Sequence, residues 1–351
     1  MTKKILMKGN EAIAEAAVQS GCRHYFGYPI TPQTEIAAYM ASRMPEVGGV
    51  FLQAESEISA INMVYGASST GVRVMTSSSS PGISLKQEGL SYIAGAELPC
   101  VIVNVMRGGP GLGGILPSQS DYFQAVKGGG HGDYKTVVFA PNTVQEMYDF
   151  TMLAFDIADK YRITVMILAD GHLGQVMEPM TLNTSAKMEK PRKDWALTGT
   201  GEKRHHNVIT SIHLKGEDLE NHNNKLQAKY ARIKSEEVKY ELFNCENADV
   251  IIVAYGSVAR IAKEAAKAAE KEGIKVGLLR PITLWPFPDE IIAGLAEKVK
   301  GFVVVEMSTG QMLEDVKLAV NGKRPVLFHG RTGGMVPLKE DIIQVVREGL
   351  K

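Results

Sequence analysis

The sequence predicts an α/β protein built from two doubly wound, parallel-sheet domains joined by a polar connector. Three observations carry this. Short continuous apolar runs rich in β-branched residues recur without two-residue alternation, as strands buried on both faces require. Helical patterns alternate with them, which implies a parallel sheet with its site at the carboxyl ends of the strands. The stretch 185–247 breaks the pattern, since 22 of its 63 residues are charged against 22% for the whole chain.

In chain order, Asn10 is placed to cap a helix through Ala12, Ile13, Ala16, Ala17 and Val18, with Gly21 just past its end. Tyr28-Pro29-Ile30-Thr31-Pro32 lies between a strand-like segment and a second helix, with Thr31 at the expected N-cap and Pro32 in the first turn. Ser56 is placed to cap a helix carrying Ile58, Ile61, Val64 and Tyr65. Strands are expected at Val72 to Met75, Cys100 to Val105, Thr136 to Phe139 and Ile163 to Leu168. The connector gathers four of the eight histidines and has one helical stretch, near Asn224 to Ser235. A second α/β pattern then runs from 248 to 351. It has a strand at Asp249 to Tyr255, a helix from Gly256-Ser257 ended by Gly273, and strands at Lys275 to Leu279 and Phe302 to Val305. Between the last two lies a proline-rich loop, Arg280 to Pro288, followed by another helix.

Composition narrows the functional classes. Lys plus Arg and Asp plus Glu both number 39, so the net charge is zero. That removes the electrostatic term that nucleic-acid or membrane-surface binding needs. The apolar runs fall far short of a membrane span. The N-terminus lacks a secretory pattern, so the expected address is the cytoplasm. Cys22, Cys100 and Cys245 are too few and too scattered for a disulfide framework or an iron–sulfur cluster. His205, His206, His213 and His222 match no zinc spacing and read as a solvated stretch. Nine glycines fall between Gly108 and Gly132.

Four motifs are candidates for chemistry. Thr31 offers a hydroxyl at a helix start, either as a plain cap or toward an anion. Glu57 sits in a first helical turn, where a carboxylate complements the dipole; buried in a cofactor pocket, it would share a proton with a heterocyclic nitrogen. Arg107, in Val105-Met106-Arg107-Gly108-Gly109-Pro110-Gly111-Leu112, follows a strand and suits bidentate binding of a carboxylate. The glycines beside it match neither a P-loop nor a dinucleotide fingerprint. Thr76-Ser77-Ser78-Ser79-Ser80-Pro81-Gly82 reads either as a solvated loop or as a hydroxyl-rich strand end for a polar ligand. No Gly-x-Ser-x-Gly elbow supports a nucleophilic serine.

The order of these motifs resembles the α subunit of 2-oxoacid:ferredoxin oxidoreductases. So do Tyr255-Gly256-Ser257, Arg280 to Pro288 and Glu306-Met307-Ser308-Thr309-Gly310-Gln311. Within that family the chain looks most like the branched-chain 2-oxoisovalerate type, with the 2-oxoglutarate type as the alternative. The resemblance implies a thiamine diphosphate pyrimidine-binding domain at 1–184, the connector at 185–247, and a transketolase C-terminal-like domain at 248–351. It implies that Glu57 hydrogen-bonds the aminopyrimidine and drives its imino form, with Glu55 as second choice. Thr31, Pro29 and Tyr28 would lie at the cofactor, and Arg107, Thr31, Gly108 and Leu112 at the substrate. The implied reaction is oxidative decarboxylation of a 2-oxoacid to acyl-CoA and carbon dioxide, with coenzyme A as co-substrate and ferredoxin as electron acceptor. Ala169-Asp170-Gly171 is followed by His172 and no matching Asn. The diphosphate, its magnesium and the iron–sulfur clusters are therefore expected on partner chains, namely a β subunit and γ and ferredoxin-like δ subunits. The apolar Leu112, Ile115 and Leu116 favour a branched aliphatic substrate. A non-catalytic assembly subunit and a lipoate-linked thiamine enzyme are the competing readings.

Overall fold

The computed structural model describes residues 4–182 and 192–349. From the N-terminus run β1 (Lys4–Lys8), α1 (Gly9–Gln19), β2 (His24–Gly27), α2 (Thr34–Glu46), β3 (Val50–Gln53), α3 (Glu57–Ser69), β4 (Val74–Ser78), α4 (Pro81–Gly95) and β5 (Cys100–Met106). There follow α5 (Tyr122–Lys127), β6 (Val137–Phe139), α6 (Val144–Tyr161), β7 (Thr164–Asp170), α7 (Gly171–Gln175), β8 (Met177–Thr181) and the long α8 (Gly216–Glu236). The last part holds β9 (Tyr240–Phe243), β10 (Val250–Val253), α9 (Gly256–Lys271), β11 (Val276–Pro281), β12 (Thr283–Trp285), α10 (Asp289–Ala296), β13 (Gly301–Glu306), α11 (Gln311–Val320), β14 (Val326–Gly330) and α12 (Lys339–Glu348).

Two main sheets result, as the alternating pattern predicts. The larger has seven strands in the order β12-β6-β7-β5-β4-β2-β3, and the smaller five in the order β14-β13-β10-β11-β9. Pairing is parallel throughout except at β12 and β9. β5 and β7 are buried along their whole length, which is why their sequences read as unbroken apolar runs. In α9 the buried positions Val258, Ala259, Ala262, Ala265, Ala266 and Ala269 recur every three to four residues and form one face against the smaller sheet.

Several local expectations are corrected. α1 begins at Gly9, so Asn10 lies in its first turn and does not cap it. The Asn10 amide instead donates to the Pro32 carbonyl at 2.8 Å and to Glu35 at 2.9 Å, tying α1 to the start of α2. Thr31 is not an N-cap either. A turn closed by Gln33 N to Ile30 O intervenes, Gln33 is the N-cap, and α2 starts at Thr34. Ser56 does cap α3, accepting from Ser59 N at 3.2 Å. The solvated-loop reading of Thr76 to Ser80 fails, because β4 continues to Ser78 and Thr76 to Ser79 are wholly buried.

The connector is more structured than its composition suggests. α8 spans 21 residues, and β9 joins the smaller sheet beside β11. The boundary expected at 184/185 falls outside the described residues. The proline-rich Arg280 to Pro288 segment is not simply a loop either. Its β12 pairs with β6 and extends the larger sheet. Gln119 ties the two sheets together. Its side chain donates to the Tyr255 carbonyl at 2.9 Å and accepts from Met307 N at 2.9 Å, while its own N–H reaches the Met307 carbonyl at 2.8 Å.

Candidate active site

Four neighbouring parallel strands, β3, β2, β4 and β5, send their carboxyl ends to one edge of the larger sheet. The residues that follow them are Glu57, the Tyr28 to Thr31 turn, Ser80 and Arg107. The sheet therefore gathers segments that lie far apart in the chain.

Glu57 opens α3 and is only 5% exposed, yet its carboxylate makes no hydrogen bond to any described residue. It rests against Gly82 in the first turn of α4, where a Cβ would stand 2.5 Å from Oε1 and 2.1 Å from Ser78 Oγ. Glycine is the residue that admits the carboxylate there. Glu55, by contrast, is exposed and accepts a hydrogen bond from Ser59 Oγ. One turn further along α4, Lys86 is fully buried. Its ammonium donates to Thr76 Oγ1 at 2.6 Å and to the Ser77 carbonyl at 3.1 Å. Burial pushes it down to about 7, with the Glu57 charge opposing that shift.

Arg107 adjoins Ser80 at the start of α4. Its guanidinium donates to the Thr31 carbonyl at 3.0 Å and to the Leu112 carbonyl at 3.1 Å. Its Nε is buried and has no partner among the described residues. The two carbonyls fix the plane of the guanidinium. Ser80 supports this residue: Arg107 N donates to Ser80 Oγ at 3.0 Å, and that hydroxyl donates to Asp121 at 2.6 Å. Ser80 holds φ of 30°, a strained value for a non-glycine residue. Burial raises the Asp121 carboxyl, while hydrogen bonds from Ser80 and Asn104 oppose the rise. A cavity of about 690 Å³ lies beside this cluster, lined by Ser80, Gly108 and Asp121 and, from the C-terminal part, Ser308 and Thr309.

The remaining predicted residues are more exposed. Tyr28, Pro29 and Thr31 are exposed, and the Tyr28 carbonyl is held from below by Gln33 Nε2 at 3.2 Å. Gln33 is itself anchored by the Ser77 hydroxyl. Thr31 lines a second groove, of about 620 Å³, together with Ile115, Leu116 and His172. Leu112 is 81% exposed and takes part through its backbone, so Ile115 and Leu116 supply the apolar wall. Asp170 caps α7 by accepting from His172 N and Leu173 N at 3.0 and 3.1 Å. Its carboxylate is thus engaged in the fold. Reading the sequence singled out Ser80 only as part of a hydroxyl-rich motif, and missed Lys86, Asn104 and Asp121. A polar Asn inside the run Cys100 to Met106, and a lysine between Ile83 and Leu90 on a buried helical stripe, were the available signals.

Residues 15–242 match the family model described as pyruvate flavodoxin/ferredoxin oxidoreductase, thiamine diphosphate-binding, and residues 248–342 match pyruvate:ferredoxin oxidoreductase core domain II. The chain belongs to the 2-oxoacid:ferredoxin oxidoreductase family. It is 54% identical over 343 residues to the ketoisovalerate oxidoreductase subunit VorB of Methanothermobacter marburgensis, covering 98% of this chain and 97% of that one. It is 38% identical to the 2-oxoglutarate synthase subunit KorA of Methanocaldococcus jannaschii, covering 97% and 98%. A 2-oxoglutarate:ferredoxin oxidoreductase from Magnetococcus marinus, solved with 2-oxoglutarate, coenzyme A and succinyl-CoA bound, superposes with a TM-score of 0.91 at 29% identity. The match covers all of this chain and 66% of that one. A split-gene transketolase shares the fold at a TM-score of 0.63 and 16% identity. These oxidoreductases are multi-subunit enzymes, so membership implies partner chains. Among the described residues no helix is long and apolar enough to cross a membrane.

Proposed function

We propose that this chain is the α subunit of a cytoplasmic, thiamine diphosphate-dependent 2-oxoacid:ferredoxin oxidoreductase acting on a branched-chain substrate such as 2-oxoisovalerate. The oxoacid and coenzyme A become acyl-CoA and carbon dioxide, and two electrons pass to ferredoxin with release of one proton. The near full-length likeness to a ketoisovalerate oxidoreductase subunit at 54% identity carries this reading. The 2-oxoglutarate relatives stand further away.

The residues present suit the aminopyrimidine end of the cofactor. Glu57 is a buried carboxylate without a hydrogen-bond partner among the described residues, seated in a cradle that a Cβ at Gly82 would fill. When bound, thiamine diphosphate supplies the electron sink for decarboxylation. Glu57 would hold a proton on the cofactor's ring nitrogen, at its carboxylate oxygen. Arg107 would bind the oxoacid carboxylate and orient the keto carbon, with Gly108 allowing close approach. Thr31 fixes the guanidinium through its carbonyl and lines the apolar groove. Ile115 and Leu116 suit an aliphatic side chain, and none of the described residues lining that groove offers a cation that would pair the second carboxylate of 2-oxoglutarate except His172. With Asp170 occupied in capping α7, the diphosphate and its Mg²⁺ are assigned to a β subunit, and the iron–sulfur clusters to γ and δ subunits. Steady-state ferredoxin reduction by the reconstituted complex tests the reading. A kcat/KM for 2-oxoisovalerate well above that for 2-oxoglutarate supports it, and the reverse order overturns the substrate assignment. Wild-type turnover in Glu57→Gln would overturn the catalytic one.

A further inference from the structure

Helix α4 carries a second charged group one turn beyond its contact with the Glu57 carboxylate. Gly82 and Lys86 are four residues apart and so share one face of the helix. Gly82 is where α4 meets the carboxylate, and Lys86 lies one turn deeper, fully buried. A charge removed from water in this way is tolerated where a counter-charge and hydrogen bonds accompany it. The hydrogen bonds come from Thr76 Oγ1 and the Ser77 carbonyl of β4. The titratable groups that face the ammonium are Glu57 from α3 and the Cys100 thiol from β5. Burial raises that thiol to about 12, so it stays neutral, and Glu57 is the counter-charge that remains.

We propose that Lys86 is the internal counter-charge of Glu57, beyond direct ion-pair distance, a positioning residue that holds the carboxylate seated against Gly82. This rests on the assignment of Glu57 to the cofactor ring made above. Lys86 touches neither substrate nor cofactor in this scheme and acts through Glu57. Because burial weakens its hold on its proton, Lys86 loses its charge as pH rises past neutrality, and the counter-charge facing Glu57 is lost with it.

The test uses the assembled complex with Glu57→Gln, Lys86→Met, Lys86→Gln and the double variant Glu57→Gln/Lys86→Met. The first arm measures thermal midpoints of the cofactor-free complex. Glu57→Gln alone strands a buried ammonium, whereas the double variant strands no charge. The expected result is that adding Lys86→Met recovers at least half of the midpoint lost in Glu57→Gln. Strictly additive losses overturn the pairing. The second arm titrates thiamine diphosphate by protein fluorescence between pH 6 and pH 9. The affinity advantage of wild type over Lys86→Gln should fall by about tenfold as pH passes neutrality, the equivalent of one pKa unit of interaction. A constant ratio across that range overturns the positioning role. Lys86→Gln retains a donor for Thr76 and carries both arms if Lys86→Met fails to assemble. Should Glu57→Gln turn over like wild type while the midpoint coupling persists, the ring assignment fails and the charge coupling stands.

Discussion

Gly82→Ala separates the site from the stability of the fold. A Cβ at this position would lie 2.5 Å from Glu57 Oε1 and 2.1 Å from Ser78 Oγ, where ordinary contact begins at 3.4 Å. The carboxylate must therefore withdraw by about 0.9 Å and the hydroxyl by about 1.3 Å, or α4 must shift by a similar amount. Overpacking of this kind costs about 1–3 kcal/mol. Alanine in a helix gives back as much as ~1 kcal/mol relative to glycine. The net loss of stability is then no more than about 2 kcal/mol, which a complex of this family should survive. The effect on chemistry is larger, because misplacing a reacting group by ~1 Å costs on the order of a hundredfold in rate. The expected result is an assembled complex whose kcat for ferredoxin reduction by 2-oxoisovalerate falls about a hundredfold. Gly66→Ala on α3 is the control, since nothing stands within 4 Å of its Cβ. Turnover within twofold of wild type in Gly82→Ala, with the unfolding midpoint also unchanged, would refute the cradle.

Arg107→Lys keeps a charge but loses the planar fork that spans the Thr31 and Leu112 carbonyls. The KM for the oxoacid should rise at least about tenfold, as expected for loss of one charge-assisted hydrogen bond. Gln119→Ala leaves the Tyr255 carbonyl and the Met307 N–H without their buried partner and should lower stability by about 2–4 kcal/mol, read from the urea midpoint. Glu97 gives an acid limb. Burial alone would raise its carboxyl, but Lys229 and Lys225 hold it down to about 2. Its contribution is complete above the ordinary carboxylate value and is lost as pH falls toward 2, so Glu97→Gln should flatten the stability profile below about pH 4.5.

The parallel strands were legible because burial on both faces leaves a mark that composition alone preserves, as in Cys100 to Met106. Helix starts were less so. Thr31 has the residue type of a cap, but Arg107 claims its carbonyl and the helix begins three residues later. β12 was invisible as a strand. Three residues among prolines carry no periodicity, and their conformation comes from pairing with β6 more than a hundred residues upstream. At the candidate site, Glu57 and Arg107 were singled out through motif order. Lys86 was not, because a lysine among helix formers reads as a solvated face until α3, β4 and β5 close around it.

The antiparallel pairing of β12 with β6 bears on how the polypeptide is made. Synthesis delivers β2 through β7 first, and the edge of the sheet at β6 has no neighbour until Trp285 has left the ribosome. An open edge is a template for unwanted pairing with other chains. A fragment cut at the polar stretch after α8 would carry that edge permanently and should precipitate where the whole polypeptide does not. The C-terminal part thus supplies a folding safeguard for the N-terminal sheet, encoded in the three residues that precede Pro286.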